Sequence, residues 1–271
     1  MQNPIGIFDS GIGGLTVCKA INDLLPAENI IYFGDTARFP YGTRSAETIL
    51  RYSREIAHYL LSRNVKMIVI ACNTSSAASL ECLREELPVP VIGVIEAGAR
   101  AACSRLNGDS IGVIGTRATV GSGSYVKAVR SIRPDVDVLQ QHATLFVSLT
   151  EEGMIDTEIA RMLTREYLQD MYDRGIRTLI LGCTHFPLLK KTISRVYPDM
   201  TLIDTGIEIA HEVRQILKGK NLENMRPPGY KGTIELYASD ITDTMLRLKE
   251  IFFNHRGNSL QKLIINGQTN E

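Results

Sequence analysis

The sequence has no excess of charge of either sign. Its 30 basic and 30 acidic side chains cancel to a formal net charge of zero, which argues against the basic footprint of a nucleic-acid binder. Weak self-repulsion at that balance permits a homodimer without requiring one. Long apolar runs are missing too. No window approaches the roughly 20 apolar residues of a membrane span, so a membrane is not an expected partner. Residues Met1–Ser10 lack the basic stretch and apolar core of a signal peptide, and the expected location is the cytoplasm. The 5 cysteines are odd in number and form no CxxC or CxxxxC pair, which speaks against a disulfide framework or a zinc site. Nucleotide-loop patterns are likewise absent. Asp9-Ser10-Gly11-Ile12-Gly13-Gly14 has Thr16 where GxGxxG needs its third glycine, and no Gly-Lys-Ser/Thr follows. Such a glycine turn still offers backbone N–H groups to an anion, here a carboxylate.

What is present is an alternation of short apolar runs with longer amphipathic stretches. The 271 residues fit one large domain or two modest ones. Strand candidates are Ile5–Phe8, Ile30–Phe33, Met67–Ala71, Val91–Val94, Ser110–Ile114, Val136–Gln140, Thr178–Leu181, Leu202–Ile203 and Thr233–Tyr237. Most are rich in Ile, Val and Leu without strict alternation, as strands read when helices bury both faces of a sheet. Between them lie helical patterns such as Thr48–Arg63, Ile155–Arg174 and Ile207–Leu217. The expected class is α/β with mainly parallel sheets.

The chain also repeats itself. Ile5-Gly6-Ile7-Phe8-Asp9-Ser10-Gly11 returns as Ile111-Gly112-Val113-Ile114-Gly115-Thr116-Arg117, 106 residues later. Met67-Ile68-Val69-Ile70-Ala71-Cys72-Asn73-Thr74 returns as Thr178-Leu179-Ile180-Leu181-Gly182-Cys183-Thr184-His185, 111 residues later. Similar offsets predict two similar α/β units in tandem. The expected division is residues 1–95 plus 210–271 for the first domain and 96–209 for the second, with a polar, frayed tail after Gly257. Ligands of open α/β sheets bind beyond the carboxyl ends of the strands. Two units related by a pseudo-twofold axis would therefore face Cys72 and Cys183 across one cleft.

Each of these cysteines follows a buried strand and precedes small hydrogen-bonding residues, Asn73-Thr74-Ser75 or Thr184-His185. A thiol at a helix N-terminus gains from the dipole and free N–H groups, and its pKa is expected to fall. A lone cysteine more often packs as a small hydrophobe; matched positions in a repeat point instead to chemistry. Cys18, Cys82 and Cys103 lack that context and are assigned to packing. Asp9 reads either as a carboxylate aimed into the cleft or as a helix cap. Gly34-Asp35 with Pro40-Tyr41-Gly42 forms a stiffened loop, and Glu151 with Glu152 reads as acids at a helix start.

Taken together, Asp9–Gly14, Gly34-Asp35, Pro40-Tyr41-Gly42, Ala71-Cys72-Asn73-Thr74, Gly93-Val94-Ile95-Glu96 and Leu181–Leu189 resemble the motifs of the aspartate/glutamate racemase family, in its glutamate-specific branch. The resemblance runs in order from residue 5 to about 210. It implies a cofactor-independent isomerase that uses no pyridoxal phosphate or metal, converts L-glutamate to D-glutamate and supplies peptidoglycan synthesis. It makes Cys72 and Cys183 the acid/base pair, supported by Asp9, His185 and Glu151. It makes Asp9, Ser10, Tyr41, Gly42, Asn73, Thr74, Thr184 and His185 the substrate contacts. The sequence departs from the family pattern at Ser76, Ala97, His142-Ala143-Thr144, Ser148 and Met154, which bears on loop geometry and turnover rather than on reaction type.

Two alternatives stay open at this level. One is another member of the superfamily, such as an aspartate racemase or a cysteine-based decarboxylase. His185 favours glutamate, since aspartate racemases usually carry glutamate at that place. The other is a two-domain small-molecule binding protein without chemistry, because fold alone does not fix function.

Overall fold

The apolar runs become strands buried on both faces, as Ile5–Asp9, Met67–Ile70 and Thr178–Gly182 are along their full lengths. The computed structural model describes residues 2–227, 229–253 and 259–265. Ten strands are β1 (Ile5–Asp9), β2 (Ile30–Gly34), β3 (Met67–Ile70), β4 (Val91–Gly93), β5 (Ser110–Gly115), β6 (Asp137–His142), β7 (Thr178–Gly182), β8 (Thr201–Asp204), β9 (Ile234–Ala238) and β10 (Leu260–Lys262). Among the described residues they form two sheets, in the orders β10-β9-β2-β1-β3-β4 and β6-β5-β7-β8. Every strand pairing in both is parallel. The segment β2-β1-β3-β4 has the same order as β6-β5-β7-β8, so the repeat in the sequence is a repeat of topology.

Helices α1 (Leu15–Leu24) and α10 (Thr205–Gly219) cover one face of the first sheet. There Leu15, Ile21, Ile209 and Val213 pack with Ile5, Ile7 and Val69. Helices α2 (Ala46–Ser62) and α3 (Asn73–Glu86) cover the other, packing Ile56, Leu60 and Leu83 on Phe8, Phe33 and Ile68. The second sheet lies between α4 (Val94–Ser104) with α6 (Ser124–Ile132) on one side. On its other side are α7 (Leu145–Glu151), α8 (Glu158–Asp173) and α9 (Lys190–Val196). The short α5 (Arg117–Gly121) follows β5, and α11 (Asp243–Phe253) follows β9. Each buried Ile, Leu, Val or Phe contributes roughly 1.5–3 kcal/mol, so these faces carry the fold.

The chain passes between the sheets twice, from β4 into α4 and from β8 into α10. Neither passage has a linker. Asp204 ends β8 and its carboxylate caps α10, accepting from the N–H of Gly206 (3.1 Å) and Ile207 (3.4 Å). The two entering helices lie against each other at Gly98, where a Cβ would come within 2.7 Å of Thr205 Cγ2.

Three expectations need correction. Glu151 does not open a helix: it is the last residue of α7, and the pattern read as Ile155–Arg174 begins only at Glu158. Thr157 supplies that cap, its side chain accepting from Ala160 N. The tail expected to fray after Gly257 contains β10, paired with β9 from Leu260 to Lys262; residues 257–258 and 266–271 lie outside the described residues. Val94 belongs to α4 rather than to the fourth strand.

Candidate active site

The carboxyl ends of β1, β3, β5 and β7 meet around one cavity of about 120 Å3. That is small beside the roughly 300–1,000 Å3 of drug-sized pockets and suits a metabolite of amino-acid size. Its wall contains Ser10 from the end of β1, Cys72 from β3, Thr116 from β5 and Cys183 from β7. Tyr41, Gly42, Asn73, Thr74, Glu151, Thr184 and His185 complete the group read from the sequence. Asp9 alone of that group does not reach the wall. It is fully buried beneath it, and it caps no helix. Its Oδ2 accepts from Gly11 N (2.9 Å) and its Oδ1 from the Thr184 hydroxyl (3.3 Å), which ties the first strand end to the second half.

Cys72 is the N-cap of α3, and its sulfur accepts from Ser75 N at 3.4 Å. The thiol reaches Ser10 Oγ at 3.5 Å. The expected fall in pKa does not occur. Burial, with Asp9 adding to it, pushes the Cys72 thiol up to about 11, and the bonds from Ser10 and Ser75 offset only part of this. Cys183 has a different setting, because Thr184 and His185 lead into a tight turn at Phe186–Leu189 rather than straight into an α-helix. Its sulfur lies 3.7 Å from His185 Nδ1. The other ring nitrogen of His185 meets Glu151 Oε1 at 3.1 Å. Burial opposes charge on this imidazole, yet its bonds to Cys183 and Glu151 raise it to about 10. The two thiols are thus held differently, one buried beside an acid and the other beside an imidazole that Glu151 holds from its far nitrogen. Burial also raises Asp9, opposed by His185, by the N–H groups of Gly11 and Gly14, and by Thr184.

The glycine turn is required by close approach rather than by a nucleotide. A Cβ on Gly13 would lie 2.4 Å from Thr184 Oγ1 and 2.8 Å from His185 Nδ1; one on Gly14 would lie 2.4 Å from Asp9 Cβ. Gly42 is similar, with Thr116 Cβ 2.9 Å from its would-be Cβ. Tyr41 does not offer its hydroxyl to the cavity. It donates to Asp35, which is fully buried and also accepts from Arg38 Nε (2.6 Å) and the Ser239 hydroxyl (2.9 Å). The Asp35 carboxylate therefore fixes the loop that forms one wall, which explains the Gly34-Asp35 motif.

The sequence reading missed Thr116, Thr144, Val147 and the aromatic wall at Phe39, all of which line the cavity. Thr116 had a signal: it is the repeat partner of Ser10. Its hydroxyl is 2.9 Å from Thr74 Oγ1, across the two halves. Tyr125 was also missed. Its hydroxyl, on α6, donates to Asn73 Oδ1 at 2.6 Å. That leaves Asn73 Nδ2, like Thr144 Oγ1, buried with no partner among the described residues. Unpaired buried donors on a cavity wall are groups that a polar ligand would satisfy. Among the described residues no trio of His, Cys, Asp or Glu is placed to hold a metal, and no helix is long and apolar enough to cross a membrane.

Residues 5–213 match the family model of Asp/Glu/hydantoin racemases. A glutamate racemase of Geobacter metallireducens is 47% identical over 249 residues, 92% of either chain. One from a Sulfurihydrogenibium species is 51% identical over 214 residues, 79% of this chain and 82% of the relative. The solved glutamate racemase of Francisella tularensis, in complex with D-glutamate, superposes with a TM-score of 0.90 at 36% identity and covers 98% of both chains. With its parallel sheets, its paired strand-end thiols and these likenesses, the chain belongs to the Asp/Glu racemase family, as an amino-acid isomerase in the company of the glutamate racemases.

Proposed function

We propose that this chain interconverts L- and D-glutamate by a two-cysteine acid/base mechanism, in the cytoplasm, and so supplies D-glutamate for peptidoglycan. One observation carries the reading: two sulfurs, from equivalent strand ends in different sheets, open into a single small cavity. Racemisation removes the Cα proton from one face and returns a proton to the other. In the direction that starts on Cys183, its thiolate takes the Cα proton, the electron pair delocalises onto the substrate carboxylate, and the Cys72 thiol delivers its own proton to the opposite face. His185 stands where it stabilises negative charge on the Cys183 sulfur, and Glu151 holds the imidazole in place. Cys72 carries its proton at neutral pH, as a donor must. The reverse reaction starts from the form the forward one leaves: the Cys72 thiolate takes the Cα proton of the D-enantiomer and the Cys183 thiol delivers its proton to the opposite face.

Donors are needed where charge develops on the carboxylate. Asn73 Nδ2, with the hydroxyls of Thr74, Thr116 and Thr184, is of the right type and position. Residues 1–95 with 210–271, and residues 96–209, are taken as the two bodies whose closure dries the cleft. The binding of D-glutamate by the Francisella protein supports glutamate as substrate.

Turnover of L-glutamate in heavy water is the test. Thiol protons exchange with solvent, so D-glutamate should form with deuterium at Cα while recovered L-glutamate keeps its hydrogen at low conversion. Deuterium entering L-glutamate as fast as D-glutamate forms would overturn the two-thiol assignment. Absence of racemisation would overturn the activity itself.

A further inference from the structure

Helix α11 belongs to the segment that completes the first sheet, and Met245, Leu248 and Phe253 anchor it there. Its exposed face reaches the other half. Arg247 Nη2 donates to the backbone carbonyl of Glu151 at 2.8 Å. The guanidinium also lies over Gly153, whose φ is +72°, with Nη1 and Nη2 each 3.5 Å from where a Cβ would stand.

The end of α7 shows what this bond does. A helix leaves its last carbonyls without partners inside it. Here the carbonyls of Ser148, Leu149 and Thr150 take the N–H groups of Glu152, Met154 and Gly153. The Glu151 carbonyl takes Arg247 instead. Glu151 places a carboxylate at the negative end of a helix, where the dipole disfavours it, and a cation there offsets that cost. The same residue holds His185 through its side chain. One residue is therefore gripped by its backbone from the first half and grips the imidazole of the second.

We propose that Arg247 is a positioning residue for the racemase reaction, fixing the height of Glu151 against His185 and, through His185, the electrostatics at Cys183. This rests on the function proposed above. Arg247 does not line the cavity, so it acts only through these groups. Among the described residues the charged and titratable groups facing His185 are Cys183, Glu151 and Asp9. Misplacing Glu151 weakens one of the two contacts that hold the imidazole protonated, and the basic limb of the rate profile should move to lower pH.

Arg247→Met keeps the apolar stem and removes the donor, and Arg247→Lys retains a cation that can reach the carbonyl. With wild-type glutamate turnover as reference, R247M should lower kcat/KM about tenfold, within the roughly hundredfold that a misplacement of about 1 Å costs. It should displace the basic limb in the same direction as E151Q, and R247K should restore both. Because both residues act through one contact, the R247M/E151Q double variant should lose little more than the worse single variant. Wild-type kcat/KM and pH profile in R247M, or losses that multiply in the double variant, would overturn the proposal while leaving the racemase reading intact. A wild type that does not turn over glutamate would instead overturn the function.

Discussion

Gly13 is where the first strand-end turn closely approaches Thr184 and His185 of the other half, and Gly13→Ala tests whether that closeness matters. The added methyl would lie 2.4 Å from Thr184 Oγ1 and 2.8 Å from His185 Nδ1. Ordinary contacts at such atoms begin at ~3.4 Å, so Thr184 must withdraw by about 1 Å and His185 by about 0.6 Å, and misplacement on that scale costs on the order of 10²-fold in rate. Thr184 would move off Asp9, now 3.3 Å away, and His185 off Cys183, now 3.7 Å away. Gly13 is not among the residues of positive φ, so alanine adds no backbone strain. The expected outcome is a fall of about 10²-fold in kcat/KM for glutamate, with a melting temperature within a few degrees of wild type. Gly219→Ala, at a position with nothing within 4 Å, is the control and should be silent. A G13A enzyme within twofold of wild type would refute the claim that this turn sets the positions of Thr184 and His185.

Cys72→Ala and Cys183→Ala should each lower kcat/KM by at least the roughly 10²–10⁴-fold typical of a general acid or base, with circular dichroism unchanged, whereas Cys82→Ala should stay within a few-fold. Glu151→Gln keeps an acceptor but removes the negative charge that helps raise His185 to about 10, so the basic limb of a kcat/KM profile should shift to lower pH. The same shift has a stability sign. A histidine raised in the fold contributes fully below its ordinary value of 6.5, and that contribution is lost as pH rises through about 10. Wild-type melting temperatures should accordingly fall more than those of E151Q across that window. Tyr125→Phe strands Asn73 Oδ1, a cost of about 1–3 kcal/mol for an unpaired buried acceptor, and should raise KM more than it lowers kcat in steady-state assays.

Much of the fold was legible because parallel strands buried on both faces leave near-continuous apolar runs, and because the chain carries its plan twice. The repeat also located Cys72 and Cys183 before any contact was known. Pushed one step further it finds Thr116, which occupies in the second copy the place of Ser10 in the first. Other features were not legible, each for a physical reason. Tyr125 looks like a core aromatic, and only the meeting of α6 with α3 gives its hydroxyl a partner. The acid pair at Glu151 reads as the start of α8 because Ile155 carries the apolar pattern back toward it, whereas Gly153 at φ +72° closes α7 and Thr157 caps α8. The rise at Cys72 was missed because a helix cap is visible in sequence, whereas full burial beside Asp9 is not.

The order of the strands has a consequence for how the protein is made. The place beside β2 is filled by β9, and α10 covers the face over Ile5, Ile7 and Val69. Both elements are encoded after the whole of β5 to β8. A nascent chain emerging from the ribosome therefore holds every strand of the four-stranded sheet once Asp204 is out, while the sheet that began at Ile5 still waits for Ile234–Ala238. The sheet that begins first is therefore completed last, a departure from the usual N-terminal-first order. During synthesis the first-translated apolar face stays uncovered longest, and that interval is where chaperone binding or misassembly should concentrate.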